Sequence, residues 1–497
     1  MAQTLDQIQD FKGTYPKQIW GLFFSEMWER FCFYAMRGML TYFMVYHLFM
    51  DEKTAQLQYG ATQAFVYAFT FIGGMFADKI LGFKRSLFWG GLLMIIGSIL
   101  LAINPHDLFF WGIGFNIVGT GFFKPNISSM VGQLYKNDDA RRDAGFLLFY
   151  SGINIGAFLG GFVISIGKGT LFTDLVPENL RWNVAFGIAA VVMLISLVNF
   201  LFTKNKLGPI GDFPLEKTQT NKLKEYAVYI GALAAIPLIR IMVSNTQYTD
   251  WFMYIIGPFS LLYLFYEMTK NSVVENKKLI AALLFILFSV VFWAIFEQAG
   301  GSLSLFAAEH LSTNLMGLNV DPNAVNNSIN ALFVILFAPL VGILFIKLSK
   351  RKLDPNSAVK FGIGFLLLGL GFYTFYTIRF SADQAGVGSI NIFALGYLVV
   401  TFAELFLSPI GLSLMTKLAP YRLQGFMMGM WFLASAYGQY VAGLFGASIS
   451  PDASASAIEK MNIYTDGYQQ FAIYAIISGV ILILISPFIK KLMQGAR

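Results

Sequence analysis

The chain is 497 residues long, 56% hydrophobic and only 13% charged, where an ordinary soluble domain carries about 25% charged residues. Water is excluded as its main solvent. The formal charge of +7 gathers in short loops, so it follows from membrane topology and calls for no nucleic-acid partner.

Apolar stretches long enough to cross the roughly 30 Å hydrocarbon core recur along nearly the whole chain, about fourteen in all. Six are expected at 18–46, 60–80, 86–104, 108–133, 144–167 and 183–203. Two more, 225–243 and 251–268, follow a basic stretch and read as a hairpin inserted between two bundles. A second six follow at 279–308, 328–347, 359–378, 390–416, 425–448 and 468–489. The expected fold is therefore an all-α membrane protein, divided into 1–205, a linker with hairpin at 206–275, and 276–497.

Lys and Arg set the orientation, because short basic loops stay on the cytoplasmic side. One side collects Lys12, Lys17, Lys79, Lys84, Arg85, Lys136, Arg141, Arg142, the run Lys204 to Lys224, Lys277, Lys278, Lys347 to Lys352, Lys417, Arg422, Lys490 and Lys491. The opposite loops 47–58, 104–107, 309–327 and 449–467 are poor in Lys and Arg and carry Asp51, Glu52, Asp321 and Asp452. Both termini are expected in the cytoplasm, which needs an even number of spans. Residues 1–17 are polar and the first apolar segment far exceeds a signal h-region, so it is expected to remain as the first span. The single cysteine, Cys32, permits no internal disulfide.

Four charges interrupt the first span: GLFFSEMWERFCFYAMRGML holds Glu26, Glu29, Arg30 and Arg37. Each would cost about 2.5–3.5 kcal/mol near the bilayer centre, so they must face protein or water. At about 100° per residue, Glu26, Arg30 and Arg37 fall within roughly 40° of one another, flanked by Glu29, Phe33 and Tyr34. The stripe reads either as a functional cluster or as a structural ion-pair ladder that only locks helices together. Three more spans carry isolated charges: Lys124 in GTGFFKPNISSMVGQLY, Glu297 in FWAIFEQAGGSLSLFA and Glu404 in TFAELFLSPIGLSL. Lys124 has the further option of snorkelling to an interface beside Pro125, and the two glutamates that of a water-exposed helix end.

The two Glu and two Arg of the first span cancel, Lys124 adds +1 and the two remaining Glu add −2, leaving −1. One bound proton would neutralise this set, and a neutral zwitterion could then enter without adding net charge. Arg grips a carboxylate through two parallel hydrogen bonds. Positive groups in the first half and Glu297 and Glu404 in the second fit an elongated ligand with an anionic and a cationic end, as a peptide has.

At these residues the match becomes specific: EMWERF followed by Tyr34 and Arg37 resembles the ExxER signature of the proton-dependent oligopeptide transporters of the major facilitator superfamily. Further matching strings are GTGFFKPNISSMVGQLY, RRDAGFLLFYSGINIGAFLGG, the FEQ of the seventh span and AELFLSPIGLSLMTKLAPYRLQGFMMGMWFL. The resemblance covers nearly the whole chain. It implies a major facilitator fold of two six-helix bundles plus the inserted hairpin, and proton-coupled import of di- and tripeptides by alternating access. Glu26, Glu29, Arg30, Lys124 and Glu297 then resemble the proton-coupling set. Arg30, Tyr34, Arg37 and Lys124 would hold the peptide carboxyl end, and Glu404, Asn154 and Asn330 its amino end and backbone. Glu297, Ser408, Tyr67, Trp293 and Trp431 would complete the binding pocket, the aromatics being equally readable as packing. GGMFADKILGFKRS resembles the superfamily's cytoplasmic loop motif, in which Asp78 and Arg85 would form a latch; a plain orientation-setting basic loop explains Arg85 equally well.

The sequence departs from the family's habits at Ala331 after Asn330, where proline is usual, at Gln439, where asparagine is common, and at Phe33, a frequent tyrosine position. The connection at about 379–389 is short, which resembles the bacterial branch. The implied cargo is short peptides and protons, driven by the proton gradient with no cofactor and no metal, in the cytoplasmic membrane, with a monomer as functional unit. A diverged carrier of nitrate, a nucleoside-like compound or a modified peptide is the nearest alternative. Against a membrane enzyme, His47, His106 and His310 are scattered in or beside external loops, with no HExxH, GxSxG or Walker-type string. No pore-loop repeat points to a channel.

Overall fold

The structure, a computed structural model, describes residues 4–136, 139, 141–212 and 222–495, with the side chains of 408–410, 412, 413, 416 and 421 also outside the description. In chain order its helices are α1 (Leu5–Gln9), α2 (Gln18–Tyr46), α3 (Glu52–Phe76), α4 (Phe83–Ile103), α5 (Phe109–Gln133), α6 (Arg142–Gly160), α7 (Val163–Lys168), α8 (Arg181–Lys204), α9 (Lys222–Ser244), α10 (Thr246–Met268), α11 (Val273–Phe296), α12 (Ser302–His310), α13 (Pro322–Lys350), α14 (Ser357–Thr377), α15 (Ile390–Leu418), α16 (Gln424–Ser448) and α17 (Ala457–Leu492). A two-stranded ribbon, Asn314–Leu315 with Leu318–Asn319, is the sheet found among the described residues. Helices suit a chain in lipid because they satisfy every backbone polar group within the segment.

Long helices stand at every position where the sequence leads one to expect a span. Among the described residues, ten segments are long and apolar enough to cross a membrane. Those on α2, α5, α10 and α16 fall short of that criterion. The reason is chemical: α2 carries four charges, and the others are rich in Gly, Tyr, Trp or Asn, which lower the apolar character of a span.

Two expected spans are interrupted. The fifth stops at Gly160 and resumes as α7. The seventh ends at Phe296, passes through a 3-10 turn at Glu297–Gly300, and restarts as α12 after Gly301. In contrast, α13 runs unbroken through Asn330 and Ala331, with its proline at Pro339.

The chain divides into two compact units, one of 1–40 with 65–245 and one of 41–64 with 246–497. The first has its core in Leu22, Cys32, Leu87, Met94, Phe123, Phe149 and Phe200. Within it α4 and α5 approach backbone to backbone: a methyl on Gly90 would lie 2.5 Å from the Gly119 carbonyl, and one on Gly97 2.7 Å from that of Gly112. Facing glycines are the membrane's means of close packing, since lipid supplies no hydrophobic drive between helices. The second unit is centred on Phe285, Phe292, Phe361, Phe365, Phe372 and Tyr468. There α14 and α17 meet in the same way at Gly362 and Gly479.

Helices α9 and α10 fall in different units. Helix α9 belongs to the first, with Arg240 over the Trp111 ring at 4.8 Å and Arg85 bonded to Glu225 at 2.7 Å. Helix α10 belongs to the second, where Tyr440 donates to Asp250 at 2.6 Å, Tyr437 donates to the Met253 carbonyl and Arg422 pairs with Glu267.

Candidate functional site

The candidate residues form two sets, one in each unit. In the first, α2 turns Glu26, Glu29 and Arg30 to one side, and all three are buried, at 1%, 0% and 1% exposure. Arg30 Nη2 donates to Glu29 Oε1 at 2.5 Å while Nε bonds the other oxygen of Glu29 and lies 3.2 Å from Glu26 Oε1. One guanidinium thus serves two carboxylates, fully with Glu29 and by one edge with Glu26. Glu26 Oε2 has no hydrogen-bond partner among the described residues. The Arg30 guanidinium also lies over the Phe33 ring, 5.0 Å from its centroid. A phenyl ring there supplies a cation–π contact and no competing hydroxyl.

What brings this stretch of α2 into the interior is α6. Gly152, Gly156 and Gly160 repeat every four residues on one face, and methyls there would meet Phe23 at 2.8 Å, the Met27 carbonyl at 2.1 Å and the Phe31 carbonyl at 2.5 Å. The glycine stripe in RRDAGFLLFYSGINIGAFLGG is therefore the groove in which the charged helix lies. Asn154, on the same helix, is 8% exposed and donates to the Tyr150 carbonyl of its own helix at 2.9 Å.

Lys124 projects from α5, which continues helical through Pro125. Its ammonium sits 4.8 Å from the Tyr67 ring of α3 and within electrostatic range of Glu26 and Glu29. It is half-buried rather than surfaced, so its side chain does not extend freely into solvent. Arg37 and Tyr34, one turn apart, are paired as cation over ring at 5.8 Å.

In the second unit Glu297 occupies the C-terminal cap of α11, at the helix break, and is 4% exposed. Next to it Gln298 donates to the Ala294 and Ala442 carbonyls and accepts from Ser302, which ties the break to α16. Glu404 accepts from Asn330 Nδ2 at 3.1 Å, and the same amide group bonds Thr401 Oγ1 at 3.0 Å. Trp431 lies against Gly411, where a methyl would meet its ring at 1.9 Å. Trp293 is half-buried, and its indole Nε1 has no hydrogen-bond partner among the described residues. The side chain of Ser408 lies outside the described residues.

The loop motif arranges its charges differently from the expected latch. Asp78 is exposed on a π-helical turn at Ala77–Leu81 and has no ion pair among the described residues, while Arg85 pairs with Glu225 of α9. Sequence reasoning missed Thr401, whose place one turn before Glu404 was the available signal, and Glu225, whose partner across 140 residues no local pattern encodes.

A model described as the POT family matches residues 84–462. The chain is 32% identical to the peptide transporter YePEPT of Yersinia enterocolitica, across 97% of this chain and 96% of that one. It is 30% identical to dipeptide and tripeptide permease A of Proteus mirabilis, across 96% of each. Among solved structures it resembles a peptide transporter POT in complex with sulfate, at TM-score 0.83 and 32% identity, covering 99% of this chain and 100% of that one. It also resembles a POT family transporter in complex with 5-aminolevulinic acid, at TM-score 0.81 and 30% identity, covering 98% and 100%. The chain belongs to the POT family of proton-dependent oligopeptide transporters, within the major facilitator superfamily, and is a multi-pass membrane transporter rather than an enzyme.

Proposed function

We propose that the protein is a proton-coupled symporter that imports di- and tripeptides across the cytoplasmic membrane by alternating access. The observation that carries this reading is the buried cluster of Glu26, Glu29 and Arg30, with Lys124 in electrostatic range. Two carboxylates share one guanidinium, and burying such a set without a use for it is costly. Protonation of a carboxyl would free Arg30 or Lys124 for the carboxyl end of a peptide, alongside Arg37 and Tyr34. Glu404, with Asn330, would take the amino end, with Asn154, Glu297, Tyr67, Trp293, Ser408 and Trp431 completing the pocket. Proton loss to the cytoplasm would restore the ion pairs and expel the cargo. Each charge carried inward is driven by about 2.3 kcal/mol per 100 mV.

In this reading all fourteen long helices span the bilayer, as two six-helix bundles at 1–205 and 276–497 with the hairpin segment 206–275 between them. Both termini are cytoplasmic, as the distribution of Lys and Arg requires, and a single chain is the working unit. Asp78 and Arg85 belong to a cytoplasmic loop that moves with the cycle.

A second reading is a proton-coupled carrier of another zwitterion or a modified peptide; it is supported by the likeness to a relative in complex with 5-aminolevulinic acid. Both readings are tested by uptake of a labelled dipeptide into proteoliposomes under an inward proton gradient, with competition by peptides, 5-aminolevulinic acid and nitrate. Competition by di- and tripeptides alone supports peptide import. Accumulation that ignores the gradient, or persists in both Glu26→Gln and Glu297→Gln, contradicts the coupling mechanism.

A further inference from the structure

In the second unit a line of polar side chains runs between α13 and α15 and ends at the break between α11 and α12. Tyr397, Thr401 and Glu404 share one face of α15, at i, i+4 and i+7, and Asn326 and Asn330 stand one turn apart on α13. Asn330 Nδ2 bonds both Glu404 and Thr401, and Thr401 Oγ1 in turn donates to the Tyr397 carbonyl at 2.7 Å. The Tyr397 hydroxyl donates to Asn326 Oδ1 at 2.6 Å, and Asn326 Nδ2 donates to the Ala299 carbonyl at 2.7 Å. Ala299 belongs to the 3-10 turn that begins with Glu297.

Exposure falls along this line. Glu404 and Asn330 are half-buried, whereas Thr401, Tyr397 and Asn326 are buried, so the end open to a ligand is the Glu404 end. The far end has its own reason: a helix that stops frees its last carbonyls, and Asn326 satisfies one of them. Between the two, Asn330 divides a single amide nitrogen between Glu404 and Thr401. A ligand ammonium that takes over Glu404 leaves Asn330 to Thr401 alone, which alters how α13 is held against α15. The next rung, Tyr397 with Asn326, is the one that grips the turn two residues from Glu297. Plain interhelical bonding accounts for each bond singly; it gives no reason for a continuous run from one carboxylate of the candidate site to the turn that carries the other.

We propose that Asn326 and Tyr397 are positioning residues that link occupancy of Glu404 by a ligand's amino group to the placement of Glu297, so that amine binding and proton binding favour one another. The link rests on the proton-coupled reading above, which gives Glu404 the amino end and Glu297 a part in coupling. Such an effect is reciprocal, since each ligand must change the affinity of the other by the same factor.

The test is the affinity of the purified full-length protein for a dipeptide and for its N-acetylated form, each at acid and at neutral pH. In the native protein the free-amine dipeptide should bind more tightly at acid pH. Tyr397→Phe removes the hydroxyl and keeps the ring packed on Phe375 and Phe393; it should shrink the acid-to-neutral ratio of affinities about fivefold, the lower end of coupling between sites. Asn326→Ala should do the same, and the double variant should lose little more, because the two act through one bond. Tyr373→Phe, on the exposed side of α14, should leave the ratio unchanged. The N-acetylated dipeptide presents no ammonium to Glu404, so it should show the reduced ratio in the native protein itself, a measurement that needs no variant to fold. Affinity independent of pH in the native protein overturns the proton-coupled reading and the link with it. A native ratio kept in full by Tyr397→Phe and Asn326→Ala, with only their thermal stability lowered, overturns the link alone, as does a full ratio with the N-acetylated dipeptide.

Discussion

Arg30 is the residue on which the first set depends, since it is the common partner of two buried carboxylates. Removing it by Arg30→Ala leaves both acids buried without their cation, which should cost about 3–5 kcal/mol and show as a lower unfolding temperature in detergent. Glu29→Gln breaks the bidentate pair but leaves Glu26 beside Arg30, so the fold should survive while gradient-driven uptake is lost and peptide exchange remains. Glu404 predicts a different phenotype. Its carboxylate is held by Asn330, and Glu404→Gln should cost about 1.5–3 kcal/mol of binding for peptides with a free amino group. Binding assays with N-acetylated peptides should show no such loss. The charges themselves were legible in the sequence, because a charge inside an apolar span needs a reason. Their partners were only half legible: Glu26 and Arg30 are one turn apart, whereas the contact of Lys124 with Tyr67 depends on how α3 meets α5.

At the scale of helices, glycines decide which backbones touch. Gly156→Ala places a methyl 2.1 Å from the Met27 carbonyl, a backbone atom that cannot swing away, so the substitution should destabilise by about 1–3 kcal/mol. Gly231 on α9 has nothing within 4 Å of the same position, so Gly231→Ala should be neutral or stabilise by up to about 1 kcal/mol. Thermal unfolding of the two variants side by side checks both. Helix positions were readable from apolar run length because lipid forces helical pairing within each segment. The two interruptions were not. Hydropathy stays high across Gly160, and the polar 297–301 stretch lies inside an apolar run long enough to read as one span, so neither break is visible in run length alone. The FEQAGG string marks the second break only in retrospect, through its two glycines and the carboxylate at the cap.

For the whole molecule, burial of charge within long helices and a skewed distribution of Lys and Arg give the proposed carrier its polarity. Orientation has its own check: in a Cys32→Ala background, single cysteines replacing Lys12 and Asp452 should label from the cytoplasmic and external faces respectively with an impermeant maleimide. Cys32 itself is 0% exposed and should label from neither face before unfolding. Which unit each of α9 and α10 joins was not readable, since the two are equal in length and their placement follows from Glu225, Arg240, Asp250 and Glu267 finding their partners. The most direct measurement of coupling is proton entry into proteoliposomes holding a trapped pH dye, recorded on addition of a dipeptide with no imposed gradient. The account predicts internal acidification that saturates with peptide concentration in the native protein and disappears in Glu29→Gln and Glu297→Gln. Peptide entry without acidification, or acidification retained in both variants, would contradict it.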